Sequence, residues 1–415
     1  MLTSAALVLF MTPGLALFYG GMDRSRNVLN MLMMNFWCLL IVPVVWAIGG
    51  FSIAQVPVDN DIIGNFDAAF LRGFGIADDG GAGIATIAFL GMFAVITPAL
   101  ISGAVADRMK FSAWAVFVPV WLILVFCPVF KWVYGGWLGQ RGSLDFAGGT
   151  AIHVNAGIAA LAGVLVLGKR KGWPTEGHPP HSMPLVMLGT GILWFGWFGF
   201  NAGSALAANG TAVQAFMNTF LAAAAAGLAW AVVERIRDGH FTNLGAASGI
   251  VAGLVAITPC AGFVAGMAPI WIGLVAGVIC CYAVGFKTKL GYDDALDVVG
   301  VHFVGGLVGS LLLGLFSEPD FFGTENKAGL FHGGGLGLFG EQALANGVTI
   351  VYSFLVTAAI MLAIKSTIGV RVDPAVDDSG RDQAEHAQTP NHSGANGART
   401  SLGDVPTTTA TPQLT

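Results

Sequence analysis

Apolar positions along this chain group into long blocks that polar loops separate. A helix that crosses a bilayer needs about 20 mostly apolar residues, and eleven such blocks are present. They cover residues 2–22, 28–51, 83–105, 111–130, 146–168, 183–202, 211–233, 244–261, 269–286, 297–316 and 345–368. The pattern predicts an all-α polytopic membrane protein with eleven transmembrane helices within a transmembrane domain of residues 1–370.

The composition agrees with a membrane protein and excludes other classes. Of the 415 residues, 55% are hydrophobic and 10% are charged, whereas a soluble domain carries about 25% charged residues. No basic patch for nucleic acid is present. The five cysteines show no metal or redox spacing, so we expect them to pack as small apolar side chains; they are Cys38, Cys127, Cys260, Cys280 and Cys281.

The chain start shows neither the positive n-region nor the cleavage site of a signal peptide, and its first charge is Asp23. We therefore interpret the first apolar block as a retained helix. Because that block begins almost at Met1, we expect a few upstream residues to be missing from this chain.

Lysines and arginines in the loops predict the orientation, because cytoplasmic loops carry their excess. One alternate set of loops holds eleven and the other holds four. The first set is Arg24, Arg26, Arg108, Lys110, Lys169, Arg170, Lys171, Arg235, Arg237, Lys287 and Lys289, and the second is Arg72, Lys131, Arg141 and Lys327. The N-terminus is therefore expected outside and the C-terminus inside.

The C-terminal segment, residues 371–415, changes to a polar composition with almost no aromatic residues. Such a segment cannot bury enough apolar surface to order itself. We expect a cytoplasmic tail that is disordered at least beyond Val376.

An internal repeat is visible in the last span of each group of five, which is span 5 in the first group and span 10 in the second. Asp145 precedes His153 by eight positions, Asp294 precedes His302 by the same number, and a glycine follows each histidine four residues on. Span 5 then matches span 10, and span 1 matches span 6. Two five-helix units in tandem have opposite topology, which is the inverted-repeat plan of many transporters.

His153 and His302 are the only histidines deep inside the predicted spans. Eight helical residues rise about 12 Å, and the hydrocarbon core is about 30 Å thick. The two imidazoles therefore lie near the bilayer centre, approached from opposite faces, where they can touch. Ionisable residues at that depth are functional candidates.

Three interpretations of the histidines stay open on the residues alone. They are a pore pair for a small polar molecule, two separate core histidines bonded to carbonyl groups, or the axial ligands of a haem. A pore pair suits imidazole because each ring can donate and accept a hydrogen bond, and burial favours its neutral form.

Aromatic residues cluster near the same spans. Span 6 contains Trp194, Trp197 and Phe200 before Ser204, and span 3 carries Phe89 and Phe93 one turn apart; span 4 ends with Trp132, Tyr134 and Trp137. Aromatic residues at helix ends commonly form an interfacial belt. The functional alternative is a cation–π vestibule above a gate. Asp145 likewise has two compatible roles, as the cap of a helix and as a negative charge near the outer mouth.

The motifs that carry these residues identify a family. The chain resembles ammonium transporters of the Amt/Rh type, and bacterial Amt proteins in particular. The resemblance rests on Met11–Gly14 through Phe18-Tyr19-Gly-Gly, on Asp145–His153 continuing to Arg170, on Gly196–Ser204 and on Asp297–His302, and it covers residues 1 to about 372.

The resemblance implies a fold and a function. We expect eleven spans in an inverted five-plus-five repeat plus a final helix, a homotrimer with one pore per subunit, and a transporter in the inner or plasma membrane rather than an enzyme, with no metal or cofactor. The implied roles are a phenyl gate (Phe93 and Phe200), twin pore histidines (His153 and His302), ammonium recruitment (Ser204, Tyr134, Asp145 and Phe89) and a pore-lining aromatic (Trp197). A PII-type signalling protein is the partner that many bacterial members bind at the cytoplasmic face.

Two departures from the family pattern stand out. Tyr134 occupies the position where the family usually has a tryptophan, and tyrosine is the weaker cation–π partner; Trp132 or Trp137 are candidates to replace it in the site. The tail lacks the glutamate-rich continuation that usually follows the Val370-Arg-Val segment. A gas channel or sensor of the Rh type and a membrane haem enzyme are the two rival functions.

Overall fold

The computed structural model describes residues 1–55, 61–75, 81–176, 179–318, 327–373, 376 and 380–389. Over these residues the chain is helical, and the one β contact is an isolated bridge between Met109 and Arg371. The main helices are α1 (Leu2–Met22), α2 (Val28–Val45), α3 (Ala82–Ser102), α4 (Phe111–Trp121), α5 (Asn155–Leu167), α6 (Met183–Gly203), α7 (Gly210–Asp238), α8 (Asn243–Ile257), α9 (Ala268–Leu290), α10 (Val304–Phe316), α11 (Gly337–Thr367) and α12 (Arg381–His386), and short helical segments lie at Ala69–Leu71, Trp137–Arg141 and Leu330–His332.

Four of the helices contain a π-helical segment that continues their apolar run. These segments are Trp46–Gly50 after α2, Leu122–Phe126 after α4, Gly149–Val154 before α5 and Val299–Phe303 before α10. Helical residues Phe51–Gln55 extend α2, and Cys127–Val133 extend α4.

Ten helices in the described part of the chain are long and apolar enough to cross a membrane. They coincide with ten of the predicted blocks. The eighth block, predicted at 244–261, is helical over Asn243–Ile257 only, and that length of 15 residues is short for a span. The last helix begins at Gly337, eight residues before the predicted start at 345. Together with the family assignment below, these helices make the chain a multi-pass membrane protein.

Helices α1 and α6, the first members of the two predicted repeat units, pack in close contact along glycines. A Cβ atom placed on Gly189 would lie 2.4 Å from the backbone nitrogen of Phe18, and one on Gly196 would lie 2.3 Å from Cγ of Met11. Small residues allow this backbone approach, which is how membrane helices associate in the absence of a hydrophobic driving force.

Helices α5 and α10 cross in the same way, and the glycines that follow the histidines lie at the crossing. A Cβ atom on Gly157 would lie 2.4 Å from the nitrogen of Phe303, and one on Gly306 would lie 2.9 Å from the carbonyl oxygen of Gly149. Each glycine therefore lets its helix approach the histidine turn of the other. This reciprocal contact agrees with the predicted repeat.

The two ends of the bundle differ in polarity. One end, which we call the vestibule end, carries Tyr134, Asp145 and Ser204 around a cavity. The other end, the arginine end, is joined by buried ion pairs. Arg170 binds Asp293 at 2.8 Å and Asp107 at 3.2 Å, so three loops that are distant in sequence are held together. Against the effect of burial, the side chain of Asp23 and then the guanidinium groups of Arg24 and Arg170 hold the pKa of the Asp107 carboxyl well below the ordinary value.

Part of the tail departs from the expected disorder. Helix α12 packs on the arginine end, and the carboxylate of Asp382 accepts hydrogen bonds from the backbone N–H groups of Leu29 and Asn30, at 3.0 and 2.8 Å. Glu385 accepts from the N–H of Phe111 at 3.3 Å. The tail thus caps the first turns of α2 and α4, whose own N-cap residues make no side-chain cap. Residues 374–375, 377–379 and 390–415 lie outside the described residues.

Candidate functional site: a narrow lumen with paired histidines

His153 and His302 each lie in a π-helical turn at the start of a membrane helix. Such turns are rare and often occur at functional sites. At the first turn, Gly148 has φ 116°, a conformation that glycine adopts freely, and its carbonyl oxygen accepts from the N–H groups of Ile152 and His153 at 2.9 and 3.0 Å. The sharp entry into the helix places His153 next to the crossing with α10.

The two imidazoles are buried and in contact, as their equal predicted depth allows. The side chains are 2% and 3% exposed, and the two Nδ1 atoms lie 3.3 Å apart. One Nδ1 must donate and the other accept in this contact, so the two rings carry different tautomers. Nε2 of His153 is buried and meets no hydrogen-bond partner among the described residues.

The geometry does not fit a haem between the histidines. A metal–imidazole bond is about 2 Å long, so an iron with two axial imidazoles would separate the ligating nitrogens by about 4 Å and would need room for the macrocycle. The Nδ1 atoms are closer than that, and the cavity that the two rings line is only about 10 Å³. This volume is at the limit for one molecule of the size of water.

The small cavity at the histidines is the centre of a narrow, mostly apolar lumen. It is lined by Met11, Leu15, Phe18, Ile96, Leu100, His153, Leu193, Trp197, Phe200, Val251 and His302. Trp197 stacks beside His153, with ring centroids 5.4 Å apart and an angle of 20°. Its Nε1 donates to the hydroxyl of Thr258 at 2.9 Å, so its polar atom points away from the lumen.

Phe93 and Phe200 separate this lumen from the vestibule. Their rings are stacked, with centroids 4.2 Å apart and an angle of 15°, and both are almost completely buried. Phe93 lines the vestibule, whereas Phe200 lines the lumen. Phe89 contacts Phe93 edge to face at 4.8 Å. The ring pair closes the passage between the two cavities in this structure.

The vestibule is a cavity of about 320 Å³ at the other side of the ring pair. It is lined by Gln55, Phe89, Leu90, Phe93, Phe130, Tyr134, Asp145, Phe146, Ser204, Leu206 and Phe263. The hydroxyl of Ser204 donates to the carbonyl oxygen of Phe200 at 2.9 Å. Its lone pairs therefore stay available to a ligand that donates hydrogen bonds.

Tyr134 reaches the vestibule from the end of span 4, beside Phe130 of the same span. Its buried hydroxyl meets no hydrogen-bond partner in the described part of the chain. Trp132 points elsewhere: its Nε1 donates to the carbonyl oxygen of Ile62 at 2.7 Å, and its ring packs against Tyr352. Trp137 packs against Trp132 and is absent from the vestibule lining. The structure thus favours Tyr134 over both tryptophans.

Asp145 caps the histidine turn, as one of its two predicted roles required. Its two carboxylate oxygens accept from the N–H groups of Gly148, Gly149, Thr150 and Ala151 at 2.8 to 3.0 Å. Burial raises the pKa of this carboxyl, and the four N–H donors oppose that rise. The same side chain lines the vestibule, so a negative charge there is compatible with the cap.

Sequence reasoning missed a set of polar residues on α11 that lies against the site. Gln342, Asn346, Thr349, Ser353 and Thr357 recur every three or four residues and are at most 1% exposed. A signal was available, because polar residues at this spacing form one face of a helix. Inward-facing polar residues in an apolar helix are functional candidates.

A bundle of membrane helices around a lumen this narrow, closed by two rings and lined by two imidazoles, defines a membrane channel or transporter for a small polar solute. Comparison with known proteins makes the assignment specific. A family model described as the Ammonium Transporter Family matches residues 1–390.

Individual relatives agree with that match. The chain is 49% identical to an ammonium transporter of Mycobacterium tuberculosis, with 94% of this chain and 88% of that protein covered. It is 44% identical to an ammonium transporter of Bacillus subtilis, with 92% and 95% covered. The crystal structure of Candida albicans Mep2 superposes with a TM-score of 0.84 at 34% identity, covering 90% of this chain and 85% of that one. The chain therefore belongs to the ammonium transporter family.

A structure described as a Sensor Amt Protein also superposes, with a TM-score of 0.87 at 28% identity, over 93% of this chain and 96% of that one.

Proposed function

We propose that this chain recruits ammonium in the vestibule, removes a proton from it near the Phe93–Phe200 pair, and conducts ammonia past His153 and His302. Ammonia is reprotonated at the far side. The proton that stays behind crosses separately or returns, and the two cases differ in whether transport moves net charge. The roles of the named residues follow from their positions and from the family assignment.

The recruitment step is supported by the groups that line the vestibule. Ammonium donates hydrogen bonds and binds aromatic faces, with about 0.5–2 kcal/mol from one cation–π contact. The vestibule offers the hydroxyls of Ser204 and Tyr134, aromatic rings and the carboxylate of Asp145. Phe89 supports the ring of Phe93 from the side.

The deprotonation step is supported by the walls of the lumen. Stripping an ion of its water without new partners costs on the order of tens of kcal/mol. A lumen of apolar side chains and two neutral imidazoles cannot repay that for ammonium or for potassium. Ammonium alone can leave a proton behind and cross as a neutral molecule, which then hydrogen-bonds to the imidazoles. The paired histidines at 3.3 Å in this apolar lumen are the single observation that carries the proposal.

The membrane placement is part of the same proposal. We place the vestibule end outside and the arginine end in the cytoplasm, because cytoplasmic loops carry the Lys/Arg excess. Helix α8 is then counted as a span as well, which brings the total to eleven. The residues after α8 complete its crossing of the membrane. Residues 1–370 form the transporter domain and residues 371–415 its cytoplasmic tail, in the cell's inner or plasma membrane.

Assembly and regulation are also proposed. The bundle exposes many large apolar side chains, among them Phe195 and Leu228 at 58% and 64% exposure. Such a surface suits lipid and neighbouring subunits, and a homotrimer with one pore per subunit is the assembly that we propose. A PII-type signalling protein at the cytoplasmic face is the proposed partner.

The test is a double variant, His153→Ala with His302→Ala, in proteoliposomes. Removing both rings widens the lumen and lets water enter, so ammonium uptake should fall and potassium should begin to enter. Ammonium uptake and entry of a rubidium tracer are measured on the same vesicles, with protein incorporation as the control. A double variant that keeps full ammonium uptake and admits no potassium refutes the proposal.

A further inference from the structure

Helix α11 lies outside the inverted repeat and carries a buried polar face that the transport steps above do not use. We call Gln342, Asn346, Thr349, Ser353 and Thr357 the α11 stripe. Its members are at most 1% exposed, whereas Val351 and Leu355 on the opposite face are 59% and 61% exposed. The helix is thus polar toward the protein and apolar toward the membrane. Four of the five side chains bond to other residues, as buried polar groups require, and these partners show what the stripe does.

The upper part of the stripe binds the chain at the entry to the His153 turn. Gln342 accepts from the backbone N–H of Leu144 at 2.7 Å and donates to the carbonyl oxygen of the same residue at 2.8 Å. Leu144 is the residue before Asp145. The amide of Gln342 therefore fixes the position of the segment from which the capping carboxylate projects.

The middle of the stripe reaches into the turn itself. Thr150, which is the second residue of the Gly149–Val154 turn, donates to Oδ1 of Asn346 at 3.1 Å. Asn346 in turn donates to the hydroxyl of Ser310 on α10 at 2.7 Å. This chain of bonds connects α11, the His153 turn and α10 on the side away from the lumen.

The part of the stripe near Ser353 contacts the end of the His153 turn through Asn155. The hydroxyl of Ser353 donates to Oδ1 of Asn155, and Nδ2 of Asn155 donates to the carbonyl oxygen of Ala151 at 3.1 Å. Ala151 and Asn155 lie two residues before and two residues after His153. Ser353 thus fixes the rotamer of a side chain that braces the turn across the histidine.

The His302 turn shares part of this bonding and lacks the rest. Val299 donates to the carboxylate of Asp294 at 2.7 Å and Val301 to the backbone carbonyl oxygen of Asp297 at 2.9 Å, as Thr150 and Ile152 do with Asp145 and Gly148 in the first turn. The residue two positions after His302 is Val304, which has no side-chain donor to play the part of Asn155.

We propose that α11 is the positioning element of His153: Asn346 and Ser353 hold its π turn in the register in which Nδ1 meets His302 and the ring stacks beside Trp197. This inference rests on the proposed function, since it assigns a purpose to the position of a pore histidine. Residues that hold the backbone turn of a functional imidazole set the direction of its ring, and that direction decides which nitrogen meets the partner ring. Loss of Ser353 or Asn346 therefore changes the selectivity and pH profile of the pore and leaves binding in the vestibule unaltered.

The experiment compares Ser353→Ala and Asn346→Ala with Thr349→Val in proteoliposomes. Thr349 is the matched control: it lies on the same face, and its buried hydroxyl meets no hydrogen-bond partner among the described residues. We expect the two test variants to raise rubidium entry by about tenfold, because a misplacement of about 1 Å at a functional group costs up to about a hundredfold and a smaller shift costs less. The pH midpoint of ammonium uptake should move by about half a unit, and KM should stay as in wild type.

Further variants keep the test decisive if the alanine proteins are not recovered. Ser353→Thr retains the hydroxyl and should restore the wild-type pH profile, and Ser353→Cys, a weak donor, should fall between the two. The inference is overturned if all Ser353 and Asn346 variants match Thr349→Val in rubidium entry and pH profile. The His153→Ala, His302→Ala protein in the same assay separates the two ideas. If that protein keeps full ammonium uptake and excludes rubidium, the proposed function fails; if it admits rubidium and the α11 variants do not, only the positioning role fails.

Discussion

The two histidine turns have the same spacing from an aspartate but differ in how that aspartate is satisfied. Asp145 at the vestibule end accepts from four consecutive N–H groups. Asp294 at the arginine end accepts from the N–H of Val299 through Oδ2, while its Oδ1 is buried without a hydrogen-bond partner in the described part of the chain.

Their surroundings differ as well. Asp294 lies beside Lys287, which binds Asp297 at 2.5 Å and donates to the carbonyl oxygen of Asp294 at 3.0 Å. Burial raises the pKa of the Asp294 carboxyl to about 6, and the charge of Asp297 adds to the rise, while Lys287 opposes it. The two turns therefore share the backbone conformation that carries each histidine, while the polar groups around each turn are specific to one end.

The largest difference between the two ends is expected on truncation of the aspartates. Asp145→Ala leaves four buried or half-buried N–H groups without an acceptor, at about 1–3 kcal/mol for each that stays buried and unpaired, and also removes the vestibule charge. We expect ammonium uptake to fall by at least about tenfold, which corresponds to 1.4 kcal/mol. Asp294→Ala should retain the larger part of uptake. Initial rates in proteoliposomes, normalised to protein incorporated, measure both.

The predicted difference between the two aspartates is contradicted if Asp294→Ala abolishes ammonium uptake while Asp145→Ala transports normally. Asp145→Asn serves as the intermediate control, because its single amide oxygen can accept only part of the four bonds.

The second difference concerns pH and stability. An aspartate with an ordinary pKa near 3.9 when unfolded and about 6 when folded binds its proton more tightly in the native state. The free energy of unfolding then falls as pH rises from about 4 to about 6, by at most about 3 kcal/mol at 1.36 kcal/mol per unit, and stays lowered above that range. The Asp294→Asn side chain is neutral at every pH, so the variant does not lose stability in this way as pH rises.

The measurement is the melting temperature of purified protein in detergent at pH 5 and pH 7.5. Wild type should lose more stability between these values than Asp294→Asn, and the variant should be the more stable of the two at pH 7.5. Equal pH dependence in the two proteins would show that Asp294 does not titrate in this range.

The smallest expected effect lies in the vestibule. Tyr134→Trp supplies the stronger cation–π partner, and the difference between the two rings is a fraction of the total contact of about 0.5–2 kcal/mol. We expect the KM for ammonium to fall by about two- to fivefold with the maximal rate unchanged, because the lumen is not altered. Trp132→Phe is the control, since Trp132 points away from the vestibule. A KM that is equal in both variants would remove Tyr134 from the recruitment site.

Much of the fold and of the central site could be predicted from the sequence because the signals are local. Apolar blocks of about 20 residues located ten of the helices, and the eight-residue spacing placed His153 and His302 at one depth. The stacking of Phe93 on Phe200 was expected from family motifs, and the observed angle of 15° agrees.

The rest depended on contacts between distant parts of the chain. The expectation of disorder for the tail missed α12 because Asp382 finds its partners, the N–H groups of Leu29 and Asn30, about 350 positions away. The predicted length of helix α8 was too great, because the apolar sequence continues past Ile257 while the helix ends there. The spacing of the α11 stripe predicts one polar helix face from the sequence alone. The role of that face could not be predicted, because it depends on Asn155 and Thr150, which the fold brings beside it.

The most direct test of the account is the selectivity of the wild-type protein. Ammonium accumulation and rubidium entry are measured in the same proteoliposomes, with external potassium in about hundredfold excess over ammonium. A lumen that passes only a molecule able to leave its proton behind predicts ammonium uptake close to the potassium-free rate and rubidium entry no faster than in protein-free vesicles. Rubidium entry at a rate comparable to ammonium uptake would contradict the account, because it would show that a desolvated ion crosses between His153 and His302.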